Sequence, residues 1–327
     1  MNNPSSDLPE CSQSMTMRRF LHPAKEFFSE IVPRSFYKFI YKHSHRRSYR
    51  HNRLYWPHYH VERNSRGELK RIFFKKHLVV DNTHFEHSHN KACMLVATGP
   101  SIKDVDKTLF QRSDIDYIGV NGAISLNDVN FRYYVIIDLN FTKNRFDLIE
   151  RVLLSRCTLF TVPRCLDLIL RRMRSSKIHC DIKVVELICQ GEIERFFGPK
   201  TRVDTSKGHF FEYRSFGFSS HIFDAVYDYF TVTYVALQII GALQYTKVYI
   251  AGLDMNQFTQ PRFYEDGTNK QPTMLNQYSS IVFPAFDAAA KFFSERNVQV
   301  YNLSTESAVE SFDKVPPDQD SALVTLP

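Results

Sequence analysis

The 327-residue chain holds one tryptophan, 11 glycines and six cysteines. So little glycine excludes collagen-like and glycine-rich low-complexity sequence. Cys11, Cys93, Cys157, Cys165, Cys180 and Cys189 include no Cys-x-x-Cys pair, and six in this length exclude a disulfide-dense scaffold. Cys93 lies in the apolar run 92–97, where a free thiol acts as a small core hydrophobe, so a reducing compartment is expected. No apolar run approaches the ~18 residues of a membrane-crossing helix. Residues 1–17 are polar and lack the apolar centre of a secretory signal, so the protein is expected in the cytoplasm. Neither GxGxxG nor a Walker loop occurs, and there is no GxSxG elbow and no HExxH.

What the chain has is apolar and aromatic material: 43% hydrophobic residues, with 28 Phe and 17 Tyr. That is ample for a buried core and excludes a disordered chain. The net charge of +7 is unevenly spread. Between Arg18 and Lys76 there are 16 Lys and Arg against 4 Glu, so the rest of the chain is acidic. The same stretch carries six histidines and large apolar residues, with Phe36, Phe39 and Ile40 at helical spacing. Basic amphipathic helices bind anionic membrane surfaces. The plainer reading is a basic arm that packs on the main domain through its aromatics or stabilises a homo-oligomer. No nucleic-acid motif accompanies the charge, so nucleic acid is not expected as a partner. His84, Glu86, His87 and His89 form a second His-rich patch, which reads as a polar linker because nothing completes a standard metal spacing.

From Lys91 onward, short apolar runs alternate with amphipathic stretches. The runs at 92–97, 117–120, 133–137, 159–162, 183–187, 247–251 and 298–301 read as strands. The stretches at 102–110, 143–154, 166–174, 233–244 and 286–296 read as helices. Continuous apolar strands alternating with helices imply a doubly wound, mainly parallel α/β sheet covered on both faces. Such sheets bind ligands beyond the carboxyl ends of their strands. The residues at those ends are Gly99, Pro100 and Ser101; Asn121 and Gly122; Asp138 and Asn140; Gly252, Leu253 and Asp254; and Asn302, Leu303 and Ser304. Gly99 permits close backbone approach, and Ser101 can cap a helix whose free N–H groups favour an anion. A phosphate-bearing ligand fits this rim. The Asp-x-Asp pairs Asp104/Asp106 and Asp114/Asp116 fall on the wrong side of their elements for a rim site, so no metal site is expected.

The segments Gly99-Pro100-Ser101, Val120-Asn121-Gly122 and Gly252-Leu253-Asp254 resemble glycosyltransferase family 42, the bacterial sialyltransferases. With Ala236-Leu237-Gln238, Arg262-Phe263-Tyr264 and Tyr301-Asn302-Leu303-Ser304, they resemble more closely the lipopolysaccharide-core Kdo transferase family (RfaZ/WaaZ-like). The likeness spans about residues 93 to 316. It implies a Rossmann-like, single-domain GT-A-like transferase that uses a CMP-activated ulosonic acid, Kdo or a sialic acid, on a glycolipid acceptor, with no cofactor. The family's nucleotide and phosphate contacts carry over to Gly99, Ser101 and Asn121, and its Thr-Ser-Gly to Thr231-Val232-Thr233. One of its two phosphate-gripping tyrosines carries over to Tyr264. The family's histidine base has no counterpart in 278–286.

Further assignments follow from that chemistry. Asp254 or Asp138 is expected as the base, Arg262 as a phosphate or carboxylate ligand, and Asn140, with Asn302 and Ser304, as substrate contacts. The expected organisation is a basic arm at 1–90, one catalytic domain at 91–316 with a lid at about 256–280, and a disordered tail at 317–327. The protein is expected on the cytoplasmic side of the inner membrane, held peripherally. Competing readings are a hydroxymethylpterin diphosphokinase-like phosphate-transfer enzyme, which shares the Gly-Pro-Ser opening, and a non-catalytic sugar-nucleotide-binding envelope protein.

Overall fold

The computed structural model describes residues 35–85, 89–256, 258–266, 268, 270–273 and 275–317. The expectations for residues 1–34 and 318–327, and for Glu86 and His87, lie outside the described residues.

Residues 35–44 form helix α1, followed by a 3-10 segment at Arg47–Leu54. The basic stretch then does something its sequence did not announce. β1 (Tyr59–Arg63), β2 (Leu69–Phe74) and β3 (His77–Asp81) form an antiparallel sheet. Tyr59, Leu69, Ile72 and Val80 turn inward and join the same apolar cluster as Met94 and Val96 of the main sheet. The expected partly helical arm is therefore corrected from Tyr59 onward: this part packs on the main domain as a sheet. Its outward residues, such as Glu62 and Arg71, pair across strands and mask the two-residue alternation.

The main sheet begins with β4 (Ala92–Val96), β5 (Ile115–Val120), β6 (Phe131–Ile136), β7 (Thr158–Thr161) and β8 (Asp181–Val184). Helices α2 (Leu139–Asn144), α3 (Phe146–Leu154) and α4 (Pro163–Arg172) lie between these strands in the chain. An insertion of short strands follows: β9 (Leu187–Cys189), β10 (Glu192–Glu194), β11 (Lys200–Arg202), β12 (Phe210–Tyr213), β13 (Phe216–Ser219) and β14 (Val226–Tyr227). The chain returns through α5 (Val232–Leu243), β15 (Lys247–Ala251), α6 (Ser279–Ser294), β16 (Gln299–Asn302) and β17 (Asp313–Lys314).

The eight strands lie in the order β17-β16-β15-β4-β5-β6-β7-β8, and every adjacent pair is parallel. The expected mixed α/β fold with a large parallel sheet is what the chain forms. Side chains alternate between its faces: Cys93 and Leu95 enter one core with α5 and α6, whereas Met94 and Val96 enter the other with α3 and α4. Burial on both faces is why these strands read as unbroken apolar runs.

Several readings change in detail, and the stretch 143–154, read as one helix, divides at Arg145 between α2 and α3. Residues 102–110 are not one helix but two 3-10 segments, Pro100–Asp104 and Lys107–Gln111. Val105 is extended between them, and Asp106 caps the second by accepting from the Thr108 N–H. α6 starts earlier than 286, with Pro284 inside it rather than before it.

The N-terminal sheet is fixed to the rest by buried polar contacts. Asn82 exchanges two hydrogen bonds with the backbone of Val184, covering the exposed edge of β8. Glu186 sits between Arg63 (2.6 Å) and Arg195 (3.0 Å), and Arg195 continues to Asp224 at 2.6 Å.

Candidate active site

The chain adds β5 to β8 on one side of β4, then returns to add β15 to β17 on the other. The direction of winding thus reverses between β4 and β15, the position at which open α/β sheets leave a ligand crevice. A cavity of about 450 Å³ opens there. Its walls come from the segments after β4, β5, β6 and β15, the start of α4, the approach to α5, and the 255–278 loop.

Of the residues expected at the site, Gly99, Pro100, Asn121, Asp138, Asn140, Thr231, Thr233, Asp254 and Arg262 line this cavity. Ser101 and Ser304 line a smaller neighbouring cavity of about 230 Å³, which shares Pro100 and Asp254 with the first. Asn302 is buried behind them, donating to the Leu253 carbonyl at 3.2 Å and accepting from the Ser304 N–H at 3.1 Å. Gly122 and Tyr264 pack on each other beside the cavity. A Cβ on Gly122 would meet the tyrosine ring at 2.2 Å.

The segments after β4 and β15 are locked together. The Gly99 N–H donates to the Gly252 carbonyl at 2.9 Å. Asp254 accepts from the Ser101 N–H at 3.0 Å and from the Ser101 hydroxyl, which also contacts the Ser304 hydroxyl at 2.7 Å. There is no space for a side chain at residue 99, because its Cβ would lie 2.3 Å from the Asp254 carboxylate. Both Asp254 oxygens are thus committed to holding Ser101.

After β5, Asn121 adopts φ +44°, a conformation side chains rarely take, and its Oδ1 is buried with no hydrogen-bond partner among the described residues. Tyr134 holds this turn by donating to the Asn121 carbonyl at 2.7 Å. After β6, Asp138 caps α2, accepting from the Asn140 and Phe141 N–H groups at 2.7 and 3.2 Å. Thr231 precedes the first turn of α5, and Thr231, Val232 and Thr233 line the cavity. In the loop, buried Glu265 accepts from the Arg262 backbone (3.0 Å), the Arg262 guanidinium (2.8 Å) and the Gln271 N–H (3.2 Å). Arg262 therefore pairs with Glu265 while lining the cavity.

Several cavity residues were not singled out by sequence. Arg164 follows β7, where the strand-end rule could have found it. Its guanidinium donates to the Ile137 carbonyl at 3.3 Å and stands 4.0 Å from the Asp228 carboxylate. Burial pushes the Asp228 carboxyl above the usual range; Arg164 and the Phe230 N–H oppose this, and the Asp138 charge adds to it. Phe230 is 52% exposed and stacks on Tyr278, with ring centroids 3.9 Å apart. Lys270 adds a further cation to the loop wall. Of the Asp-x-Asp pairs, Asp104 lines the smaller neighbouring cavity, while the other three carboxylates are engaged elsewhere. Asp106 caps its 3-10 turn, Asp114 pairs with Arg112 at 2.7 Å, and Asp116, near the start of β5, accepts from Tyr245 at 2.6 Å. Among the described residues, no three His, Cys, Asp or Glu gather as metal ligands.

Residues 207–318 match the family model described as 3-deoxy-D-manno-octulosonic acid transferase WaaZ. A probable 3-deoxy-manno-octulosonic acid transferase of Salmonella typhimurium is 25% identical over 250 residues, covering 68% of this chain and 85% of that protein. A protein of the same description from Escherichia coli K12 is 30% identical over 88 residues, covering 26% of this chain and 29% of its own length. Among solved structures, the monofunctional alpha-2,3-sialyltransferase Cst-I of Campylobacter jejuni aligns over 72% of this chain and 83% of its own at 12% identity, with a TM-score of 0.37. The sialyltransferase CST-II, crystallised with a trisaccharide acceptor and CMP, aligns over 71% and 88% at 12% identity, with a TM-score of 0.38. The likeness to the WaaZ Kdo transferase family, expected from the motifs at Gly99 and Gly252, is borne out by the family model and by both relatives.

Proposed function

We propose that this chain is a glycosyltransferase. It moves an ulosonic acid, Kdo in preference to a sialic acid, from a CMP-activated donor to a lipopolysaccharide or other surface glycan. One observation carries the reading. The stretch that matches the Kdo transferase model supplies Asp228, Thr231, Thr233, Asp254 and Arg262 to a single cavity at the sheet's reversal point.

The chemistry sets what the cavity must do. The acceptor oxygen attacks the anomeric carbon as the bond from that carbon to the phosphate oxygen breaks. CMP departs with the electron pair and one more negative charge. Catalysis then requires donors aimed at the phosphate and a base for the acceptor proton. In this reading the N–H groups at the start of α5, with Thr231 and Thr233, face the leaving phosphate. Arg262 and Arg164 supply positive charge, and Asn121 and Asn140 orient the donor. Ser101 and Tyr264 act by fixing the segments after β4 and β5, while Asn302 and Ser304 brace them. The donor carries one phosphate and no diphosphate, so the reaction as written requires no metal. The 255–278 loop is the lid that keeps water from the donor. The arrangement is a single-domain GT-A-like one.

Thermal unfolding with a panel of nucleotides tests the proposal. CMP raising the midpoint while UDP, GDP and ATP with magnesium leave it unchanged supports it. Stabilisation by ATP with magnesium alone transfers the case to the phosphate-transfer reading. No response to any nucleotide favours the non-catalytic one.

For the acceptor, we propose contact with an anionic membrane from the cytoplasmic side of the inner membrane. No helix among the described residues is long and apolar enough to cross one. On α1, Phe36 and Phe39 are each 62% exposed, and Lys42, Arg46 and Arg47 follow closely. Co-sedimentation with phosphatidylglycerol vesicles, and not with phosphatidylcholine ones, is expected. Phe36→Ser with Phe39→Ser should release the protein, and unchanged sedimentation of that variant removes α1 from the interface.

A further inference from the structure

The transferase reading leaves its base unassigned, and the geometry around the cavity discriminates among its carboxylates. Asp254 has both oxygens engaged by Ser101. Glu265 is committed to Arg262 and Gln271. Asp138 is exposed and caps α2. Asp228 differs from all three. It lines the cavity, its carboxylate is only 18% exposed, and one oxygen accepts the Phe230 N–H at 3.0 Å. Its other oxygen stands 4.0 Å from the Arg164 guanidinium, at the limit of an ion pair.

A second, independent observation concerns what lies beside it. Phe230 has φ +62°, a left-handed conformation that is an outlier for a bulky residue. The strained backbone holds its ring out at the cavity wall, 52% exposed and stacked on Tyr278 within 9° of parallel. Strain of this kind persists where the surroundings over-determine it, and it gathers at ligand clamps and active sites. An open aromatic face next to a carboxylate suits the apolar face of a sugar ring, with a hydroxyl directed at the carboxylate.

We propose that Asp228 is the catalytic base of this transferase and that the Phe230–Tyr278 pair is the platform on which the acceptor sugar rests. This rests on the transferase reading above. As the acceptor oxygen bonds to the anomeric carbon and CMP leaves with its electrons, the acceptor proton passes to the Asp228 carboxylate. Burial favours this role, because a desolvated carboxylate is more basic than an exposed one. The charged and titratable groups that act on Asp228 are Arg164, which lowers its proton affinity, and Asp138, which raises it; the Cys189 thiol also lies within its electrostatic reach. The ionised form does the work, so activity is lost as pH falls through the raised carboxyl pKa.

Asp228→Asn is the decisive variant, because the amide oxygen still accepts from the Phe230 N–H and keeps the turn. Two readouts are taken on the full chain: the CMP-induced rise in unfolding midpoint, and CMP release from CMP-Kdo, corrected for spontaneous hydrolysis, with water alone and with rough lipopolysaccharide as acceptor. The expected result is an unchanged CMP effect and a fall in release of roughly 100-fold or more, with the acidic limb of the pH profile abolished. Phe230→Ala should raise the KM for lipopolysaccharide. An Asp228→Asn protein that releases CMP within about threefold of wild type, or a wild type that binds CMP and releases none, overturns the assignment of the base. A wild type that does not respond to CMP overturns the transferase reading itself, and this assignment with it.

Discussion

Ser101 is tied to Asp254 twice, through its backbone N–H and through its hydroxyl, and this pairing joins the segment after the first strand of the main sheet to the segment after β15. The two residues are 153 positions apart, so the contact closes the lip of the crevice. Replacing Asp254 by Ala strands the Ser101 N–H, leaves the Ser101 hydroxyl only Ser304, and should cost about 3 kcal/mol in urea unfolding, whereas Ser101→Ala, which keeps the N–H bond, should cost only about 1 kcal/mol. Loss of turnover by Asp254→Ala at unchanged stability would instead return Asp254 to the role of base.

The contact between Gly122 and Tyr264 leads to a prediction about packing. A methyl group on Gly122 would overlap the tyrosine ring, so the ring and the loop that carries it must move. Gly122→Ala should destabilise by about 1–3 kcal/mol, the usual cost of overpacking, and weaken CMP binding through the displaced lid. In Tyr264→Ala the obstacle is gone, so adding Gly122→Ala to it should cost far less than in the wild-type background. Additive losses would mean that the two residues do not act on each other.

What the sequence discloses follows what each residue touches. The strands at 92–96 and 247–251 are buried on both faces, so their apolar runs stand out, and α5 lies within a residue of the stretch 233–244. The rim of the crevice was legible for the same reason, since small and polar residues interrupt those runs where the strands end. The N-terminal sheet was not, because its inward positions Leu69 and Ile72 are separated by two basic residues, Lys70 and Arg71, and the stretch looks like a solvated arm. The 3-10 turns near Ile102 repeat apolar residues at a spacing that a helix shares, and the Asp106 cap that separates them is a local competitor invisible to periodicity. Asp228 escaped notice because the strand it follows, β14, is only two residues long and leaves no apolar run to read in the sequence. Its standing depends on burial and on Arg164, which is brought close only by the fold.

Arg262 illustrates how a lid residue can be structural and functional together. Glu265 is almost wholly enclosed, and the guanidinium is its one charged partner among the described ion pairs. Arg262→Ala leaves a buried carboxylate to two backbone donors and should cost about 3 kcal/mol. The pair Arg262→Ala with Glu265→Gln should recover most of that stability. A double variant that is stable and still binds CMP as well as wild type would show that Arg262 serves the loop alone. One that is stable and binds weakly would place the guanidinium on the donor.

Asp224 predicts a pH dependence that has nothing to do with catalysis. Burial pushes its carboxyl up, but hydrogen bonds from Lys207 and Arg195 and their positive charge outweigh burial and carry it down from 3.8 to about 2. A carboxyl whose pKa falls on folding stabilises the fold at pH values above the unfolded pKa, and the contribution disappears as pH drops through the folded one. Its worth is of order 2 kcal/mol, present at pH 5 and above and lost between about pH 4 and pH 2. Asp81 is also lowered to about 2 and titrates in the same window, so the informative quantity is the difference between wild type and Asp224→Asn. Asp224→Asn should be less stable at pH 7, because Arg195 and Lys207 lose their shared partner. The gap between the two proteins should narrow by about 2 kcal/mol when unfolding is measured at pH 2.5 instead of pH 7. A gap that stays constant across that range would mean that Asp224 is not held below its ordinary pKa, and that the chain from Arg63 through Glu186 and Arg195 ends without it.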